Sequence, residues 1–219
     1  MKPILFFCTA IFITSTFAQR TSNFPDAYLT GKKKKIGIVL KAADFRPGDV
    51  VADIGSGEGL FDAALGIHTD SLHFFLEDID STLIKGGKLQ EAITSFSKFR
   101  ATPVNCTYHQ SVGSNKTTGL SGNYFDKVLL IDTFHHLNFR DEMIDEMKRI
   151  MKDSGKLVVF EAVARKKSEI FKSCHSVIYT REEIIDAFVR NGFVLDQVYK
   201  TVNGNRVHFR VFTFSKIRG

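Results

Sequence analysis

A glycine-rich turn, two acidic clusters and a histidine pair are the features of this chain whose residue types and spacing can do chemistry. Val50-Val51-Ala52-Asp53-Ile54-Gly55-Ser56-Gly57-Glu58-Gly59 reads as a short buried strand running into three glycines at alternate positions. Glycine lets the backbone approach a ligand where a Cβ would collide. A helix opening after the turn aims free N–H groups and its positive dipole end at a polar, partly anionic occupant. Asp53, two residues before Gly55, disfavours a pyrophosphate and suits a ligand that also carries positive charge. The second cluster, Glu77-Asp78-Ile79-Asp80, closes the apolar run Leu72–Leu76. Asp78 falls about 20 residues past the glycines, the spacing at which a carboxylate reaches ribose hydroxyls.

The elements that must position these groups alternate strand and helix. The pattern predicts strands over 72–78, 103–109, 125–132, 156–161, 193–200 and 207–214, besides the one entering the glycine turn. Helices are expected over about 26–43, then 60–66, 81–98, 140–151 and 181–190. Asp80 is a candidate N-cap, although Gly86-Gly87 weakens the helix after it. Thr180 with Glu183 forms a capping box, and Asn191-Gly192 closes that helix. Asn203-Gly204 is a hairpin signal joining the last two strands. The segments 113–123 and 163–179 read as loops.

Asp-Ile-Gly-Ser-Gly-Glu-Gly with a downstream Glu-Asp-Ile-Asp resembles the class I S-adenosylmethionine-dependent methyltransferases over about residues 44–216. The resemblance implies an α/β, Rossmann-like fold: a mostly parallel seven-stranded sheet, an antiparallel C-terminal hairpin and helices on both faces. It implies S-adenosyl-L-methionine as cofactor. The turn residues Asp53, Gly55, Ser56, Gly57 and Gly59 would cradle the methionine part, and Asp78 and Ile79 the ribose side. Ser111 and Val112 would meet the adenine edge, and Asp132 and Thr133 would line the site. Ile131-Asp132-Thr133-Phe134-His135-His136-Leu137 resembles the family's fourth motif, beside the methyl group. His136 is then the candidate to orient an acceptor or take its proton; packing and solvent contact are the plainer roles for both histidines.

The same stretch excludes some chemistry. The motif lacks the proline pair of amino-directed base and glutamine methyltransferases, and neither Cys106 nor Cys174 follows a proline, as the cytosine-directed catalytic cysteine does. A nicotinamide dehydrogenase would space its glycines G-x-G-x-x-G, whereas Gly59 comes one residue early and Leu60 takes the expected place. A small-molecule acceptor is expected, with RNA or protein as the alternative. A non-catalytic binder of the cofactor or another nucleoside is the rival from a different class.

The 219 residues suffice for one domain with a sizeable core. The formal charge of +6 permits nucleic-acid binding without requiring it, and the run Lys32–Lys35 reads as a solvated helix face. The 21 phenylalanines read as core. No metal site is expected: His135 and His136 are adjacent and should point apart, no third ligand is spaced with them, and His175 beside Cys174 is a weak candidate. Cys106 and Cys174 are expected as free buried thiols. Residues 1–18 read as a cleavable signal peptide, positive start, apolar run and Ala18 before Gln19, followed by a lead-in over 19–43. This predicts a periplasmic or secreted protein; a cytoplasmic one follows if that segment is not a leader.

Overall fold

Val50–Ile54 (β1) starts just after the Pro47-Gly48 turn and buries every residue but its first. In the computed structural model, which describes residues 24–100, 102–171, 174–200 and 208–217, β1 is the centre of a nine-stranded sheet. It pairs in parallel with His73–Asp78 (β2) on one side and Phe125–Ile131 (β4) on the other. Thr107–Val112 (β3) extends the β2 side, and Met151–Ala164 (β5) extends the β4 side, both in parallel. Beyond β5, His208–Lys216 (β9) runs antiparallel and pairs with Phe193–Lys200 (β8). These seven strands, in the order β3-β2-β1-β4-β5-β9-β8, are the sheet expected from the sequence. The expected leader at 1–18 and the Asn203-Gly204 turn lie outside the described residues.

Two further strands sit where a loop was expected. Glu169–Phe171 (β6) and Ser176–Thr180 (β7) form a hairpin, and β7 lies parallel to the end of β5 at Val163 and Ala164. This brings residues 174–176 back over the end of the sheet.

Helices cover both faces because strand residues alternate. Val51 belongs to one core half, with Phe24–Ala43 (α1), Leu60–Gly66 (α2) and Lys88–Phe96 (α4). Ala52 and Ile54 belong to the other, with Arg140–Ile150 (α5) and Arg181–Arg190 (α6). Met143, Ile144, Met147 and Ile150 supply the α5 stripe, and the Thr180–Glu183 capping box starts α6. The helix expected over 81–98 breaks at Gly87, which sits at φ 75°, so Ser81–Lys85 (α3) and α4 are separate. Asp80 caps α3 through Thr82 N–H. Strand β3 begins four residues later than expected and carries Ser111 and Val112 within it. Among the described residues, no helix is long and apolar enough to cross a membrane.

Candidate active site

The C-terminal ends of β1, β2 and β4 meet at one place, and the turn after β1 is tied to its neighbours by backbone bonds. Gly55 and Ser56 N–H both donate to the Glu77 carbonyl, at 2.8 and 2.9 Å. Gly57 N–H donates to Asp78 Oδ2 at 2.9 Å, and Asp80 N–H to Asp78 Oδ1 at 2.8 Å. Asp78 therefore fixes the turn, and each oxygen keeps acceptor capacity for a hydroxyl. All three turn glycines adopt positive φ. They differ in what surrounds them. A Cβ on Gly55 would strike Thr133, and one on Gly59 would press on Leu76 and Leu89, whereas Gly57 faces open space.

A cavity of about 310 Å³ opens at these strand ends. Of the residues singled out in the sequence, Gly55, Asp78, Ile79, Asp132 and His136 line it. Ser56, Gly57, Gly59, Ser111 and Val112 border the same strand ends without forming its wall. Loop residues Ser114 and Asn115 supply the edge that Ser111 and Val112 were expected to form. Ser111 is half-buried opposite Glu77, and Val112 stands opposite Asp78, exposed like Ile79. A larger open depression of about 1100 Å³ lies along α4 and touches the turn only through Glu58 and Leu60. It lacks the strand ends at which ligands of open α/β sheets bind.

Asp53 is placed differently from the expectation that it faces a ligand. It is buried on the face of β1 toward α2, beside the equally buried Asp62. Burial and then Asp62 push the Asp53 carboxyl well up, and burial raises Asp62 to about 7. Lys35 opposes both shifts, drawing the two carboxyls back toward the charged form. Asp132, which lines the cavity with Glu77 and Asp78, has a φ of 57° that is unusual for a non-glycine residue. Its Oδ2 accepts from Lys35 Nζ at 2.5 Å. Lys35 was expected on a solvated face. Instead it turns inward over the Phe61 and Phe160 rings while Lys32, Lys33 and Lys34 stay exposed.

Thr133, expected with Asp132 to line the site, lies on the cavity wall, whereas sequence reading gave Glu77 no role of its own and passed over Gly113. Glu77 is buried on the cavity wall, and its carboxyl is pushed up to about 8 by burial first and by Asp78 next. A Cβ on Gly113 would run into that carboxyl. Thr133 Oγ1 lies 3.3 Å from the Gly55 carbonyl it donates to, which joins the turns after β1 and β4. The loop bearing Ser114 and Asn115 is pinned by Glu146, which accepts from Thr118 N–H at 2.9 Å, Thr118 Oγ1 at 2.7 Å and Arg149 Nε at 2.6 Å.

The histidine pair departs most from expectation. The two rings lie 4.0 Å apart by centroid rather than pointing apart. His135 is buried, and its Nδ1 is 2.8 Å from Glu161 Oε1. Its Nε2 is 3.5 Å from Cys174 Sγ, brought there by the β6–β7 hairpin. His136 is exposed, and burial of its ring together with His135 holds it below its ordinary value. Cys106 and Cys174 are free, as expected, yet both are only partly buried.

Buried polar atoms without a partner among the described residues test whether a cofactor fits. Ser56 Oγ, Glu77 Oε1, Ser111 Oγ and Asp132 Oδ1 are four of them, all around these strand ends. Such atoms call for a polar ligand or water. With open space at Gly57 and the exposed apolar pair Ile79 and Val112, they suit a nucleoside carrying a polar, charged tail.

Comparison with known proteins agrees with this geometry. Residues 52–159 match the family model described as a methyltransferase domain. The structure resembles a SAM-dependent methyltransferase from Aquifex aeolicus, with TM-score 0.66 at 17% identity, covering 87% of this chain and 98% of that one. It also resembles the [4+2]-cyclase SpnF, with TM-score 0.69 at 13% identity, covering 87% and 83%. At such identities the likeness shows a shared fold. The fold and site therefore define a Rossmann-like methyltransferase domain. Residues 52–159 thus form a class I methyltransferase domain, of the kind that uses S-adenosyl-L-methionine as cofactor. In sequence it is 26% identical over 117 residues to the ubiquinone/menaquinone biosynthesis C-methyltransferase UbiE of Vibrio cholerae, a match covering 53% of this chain. The match spans 42% of that protein, so this chain covers under half the length of the curated relatives it matches.

Proposed function

We propose that this chain transfers the methyl group of S-adenosylmethionine to a small acceptor with an apolar body and a negative charge. The observation that carries this reading is a second cavity of about 400 Å³, which meets the first at Asp132. Lys32, Lys34, Lys35 and Lys200 line it together with Ile38, Phe160 and Phe209. Lysines over an aromatic floor suit an anionic, flat or apolar molecule; a folded RNA or protein would not enter a hollow of that size.

When bound, the cofactor supplies a methyl on a positively charged sulfur. The chain's part is to bind and orient. Asp78 offers its free acceptor sites to the ribose hydroxyls, and Ile79 and Val112 cover the flat face of the base. Ser111, Ser114 and Asn115 supply polar contacts at the base's edge, and Gly57 leaves room for backbone approach. Asp132, on the boundary of the two cavities, favours the positive charge carried toward the acceptor. Held neutral near pH 7, His136 is competent to take a proton from an acceptor hydroxyl or amine.

A turnover assay with labelled cofactor tests this. Carboxylated phenols and other anionic aromatic acceptors should be methylated in preference to neutral analogues, RNA or a protein mixture. Labelling of RNA or protein alone would replace the small-molecule reading. Cofactor binding without turnover across the panel would favour a non-catalytic binder.

A separate reading concerns destination. We also propose that residues 1–18 act as a cleavable leader that carries the mature chain out of the cytosol, in which case sequencing of the secreted or periplasmic form begins at Gln19. An intact Met1 on a cytosolic product would overturn it.

A further inference from the structure

The groups around the histidine pair have an arrangement that methyl transfer does not require. His135, His136 and Cys174 each offer one donor atom, and these atoms all lie within 4.8 Å of one another. Among the described residues this is the one such cluster. Tetrahedral zinc, with Zn–N of about 2.0–2.1 Å and Zn–S of about 2.3 Å, sets its ligands roughly 3.3–3.7 Å apart. The 3.5 Å between His135 Nε2 and Cys174 Sγ falls in that range.

The surroundings match as well as the distance. A metal-bound histidine commonly donates its other ring N–H to a carboxylate, which fixes the tautomer and aims the ligating nitrogen. Glu161 Oε1 stands 2.8 Å from His135 Nδ1, leaving Nε2 to face Cys174. Glu161 is itself held, since Oε1 accepts from Ala162 N–H at 2.7 Å and Oε2 from His135 N–H at 3.3 Å. Ser176 Oγ lies 3.5 Å from His136 Nδ1 at the rim. The side chains come from three elements: the turn after β4, the strand β5 and the β6–β7 hairpin.

We propose that His135, His136 and Cys174 bind a zinc-class divalent ion, that Glu161 orients the site from behind His135, and that a fourth coordination position stays open. Two imidazoles and a thiolate select zinc or cobalt over the hard oxygen-seeking ions. Three protein ligands and one open position are the pattern of a zinc site that takes a substrate or water, not of a closed structural one. Because His136 also lines the cavity, the ion sits at the cavity's edge. An acceptor thiol or hydroxyl reaching it would lose its proton more readily, in place of proton transfer to His136. That consequence rests on the proposed methyl transfer, whereas ion binding does not.

The test is binding alone, so failure of the methyltransferase reading would leave it standing. The chain is stripped with a chelator and titrated with Zn²⁺ by calorimetry, then with Co²⁺ under an absorption spectrometer. One zinc per chain should bind, and cobalt should give a thiolate charge-transfer band in the near ultraviolet. Glu161→Gln should weaken zinc binding by about 10–100-fold. Cys174→Ser and His136→Asn should weaken it further, and Cys174→Ser should abolish the cobalt band. Zinc should slow alkylation of Cys174 by iodoacetamide. Should Glu161→Gln fail to fold, the two variants at more accessible positions decide the matter. No stoichiometric uptake, or unchanged affinity in Cys174→Ser and His136→Asn, would overturn the proposal and leave Cys174, His135 and Glu161 as a hydrogen-bonded chain only.

Discussion

Lys35 Nζ lies 2.5 Å from Asp132 Oδ2, and this ion pair stands on the boundary between the two cavities. The cation offsets the charge of Asp132 from the side of α1. Removing it leaves Asp132 free to favour a positive ligand. Lys35→Met keeps an apolar stem over Phe61 and Phe160 while deleting the charge. The preference for S-adenosylmethionine over the uncharged-sulfur product, S-adenosylhomocysteine, should then rise about 3–10-fold, on the order of 1 kcal/mol. Paired calorimetric titrations measure it, and an unchanged ratio would place the sulfonium away from Asp132.

Two glycines of one turn should fail in different ways. Gly55→Ala puts a Cβ against Thr133 at φ 73°, so it should lower the melting temperature markedly. Gly57→Ala meets nothing in the protein, and its left-handed backbone alone costs about 1–2 kcal/mol. Its main effect should be on cofactor affinity. Thermal unfolding with and without cofactor separates the two, and equal stability losses with equal affinity would contradict the assignment.

Glu77 should make stability fall with pH. The folded chain holds its proton up to about 8, whereas the unfolded chain releases it near 4.5. Between those values the unfolded state binds fewer protons, so stability declines as pH rises, by at most about 1.4 kcal/mol per pH unit. Below 4.5 the contribution is fully present. Glu77→Gln removes this dependence. Its stability relative to the parent, from urea unfolding, should improve steadily from pH 4.5 to 8; a constant difference would mean that Glu77 ionises normally.

Glu146 has the opposite sign. Burial opposes its charge, yet the bonds from Arg149 and Thr118 prevail and bring it down to about 2. Its stabilisation is present above the ordinary carboxylate range and is lost as pH falls toward 2. Glu146→Gln should cost about 1.5–3 kcal/mol at neutral pH, the range for a charged hydrogen bond. It should also loosen the loop bearing Ser114 and Asn115. Hydrogen exchange at Thr118 N–H reads that directly, and unchanged protection would contradict the pinning role.

What the sequence made legible was local. Val50–Gly59 combined an apolar run and three glycines, and both have a backbone consequence at the turn, whereas Asp53 turned toward α2 instead of the ligand site. Thr180 and Glu183 announced a helix start within four residues. The misses involve partners far apart in the chain. Cys174 reaches His135 across 39 residues, so no ligand spacing could flag the cluster. Nor did the three-residue strand β6 show the alternation that would have revealed the hairpin carrying Cys174 there. Lys35 differs from Lys32, Lys33 and Lys34 only in which side of α1 it occupies, and that became visible once Asp132, Phe61 and Phe160 surrounded it. Strand β3 is largely exposed, which blurred its bounds and moved Ser111 and Val112 onto the strand.

Titration calorimetry of S-adenosylmethionine into the parent chain and into Asp78→Ala tests the central claim most directly. The parent should bind one equivalent. The variant, shown to be folded by circular dichroism, should bind more weakly by about 1–3 kcal/mol, or about 5–150-fold. Equal affinity in the two proteins, or no binding to the parent, would contradict the claim that the turn after β1 and the acid at the end of β2 hold the cofactor.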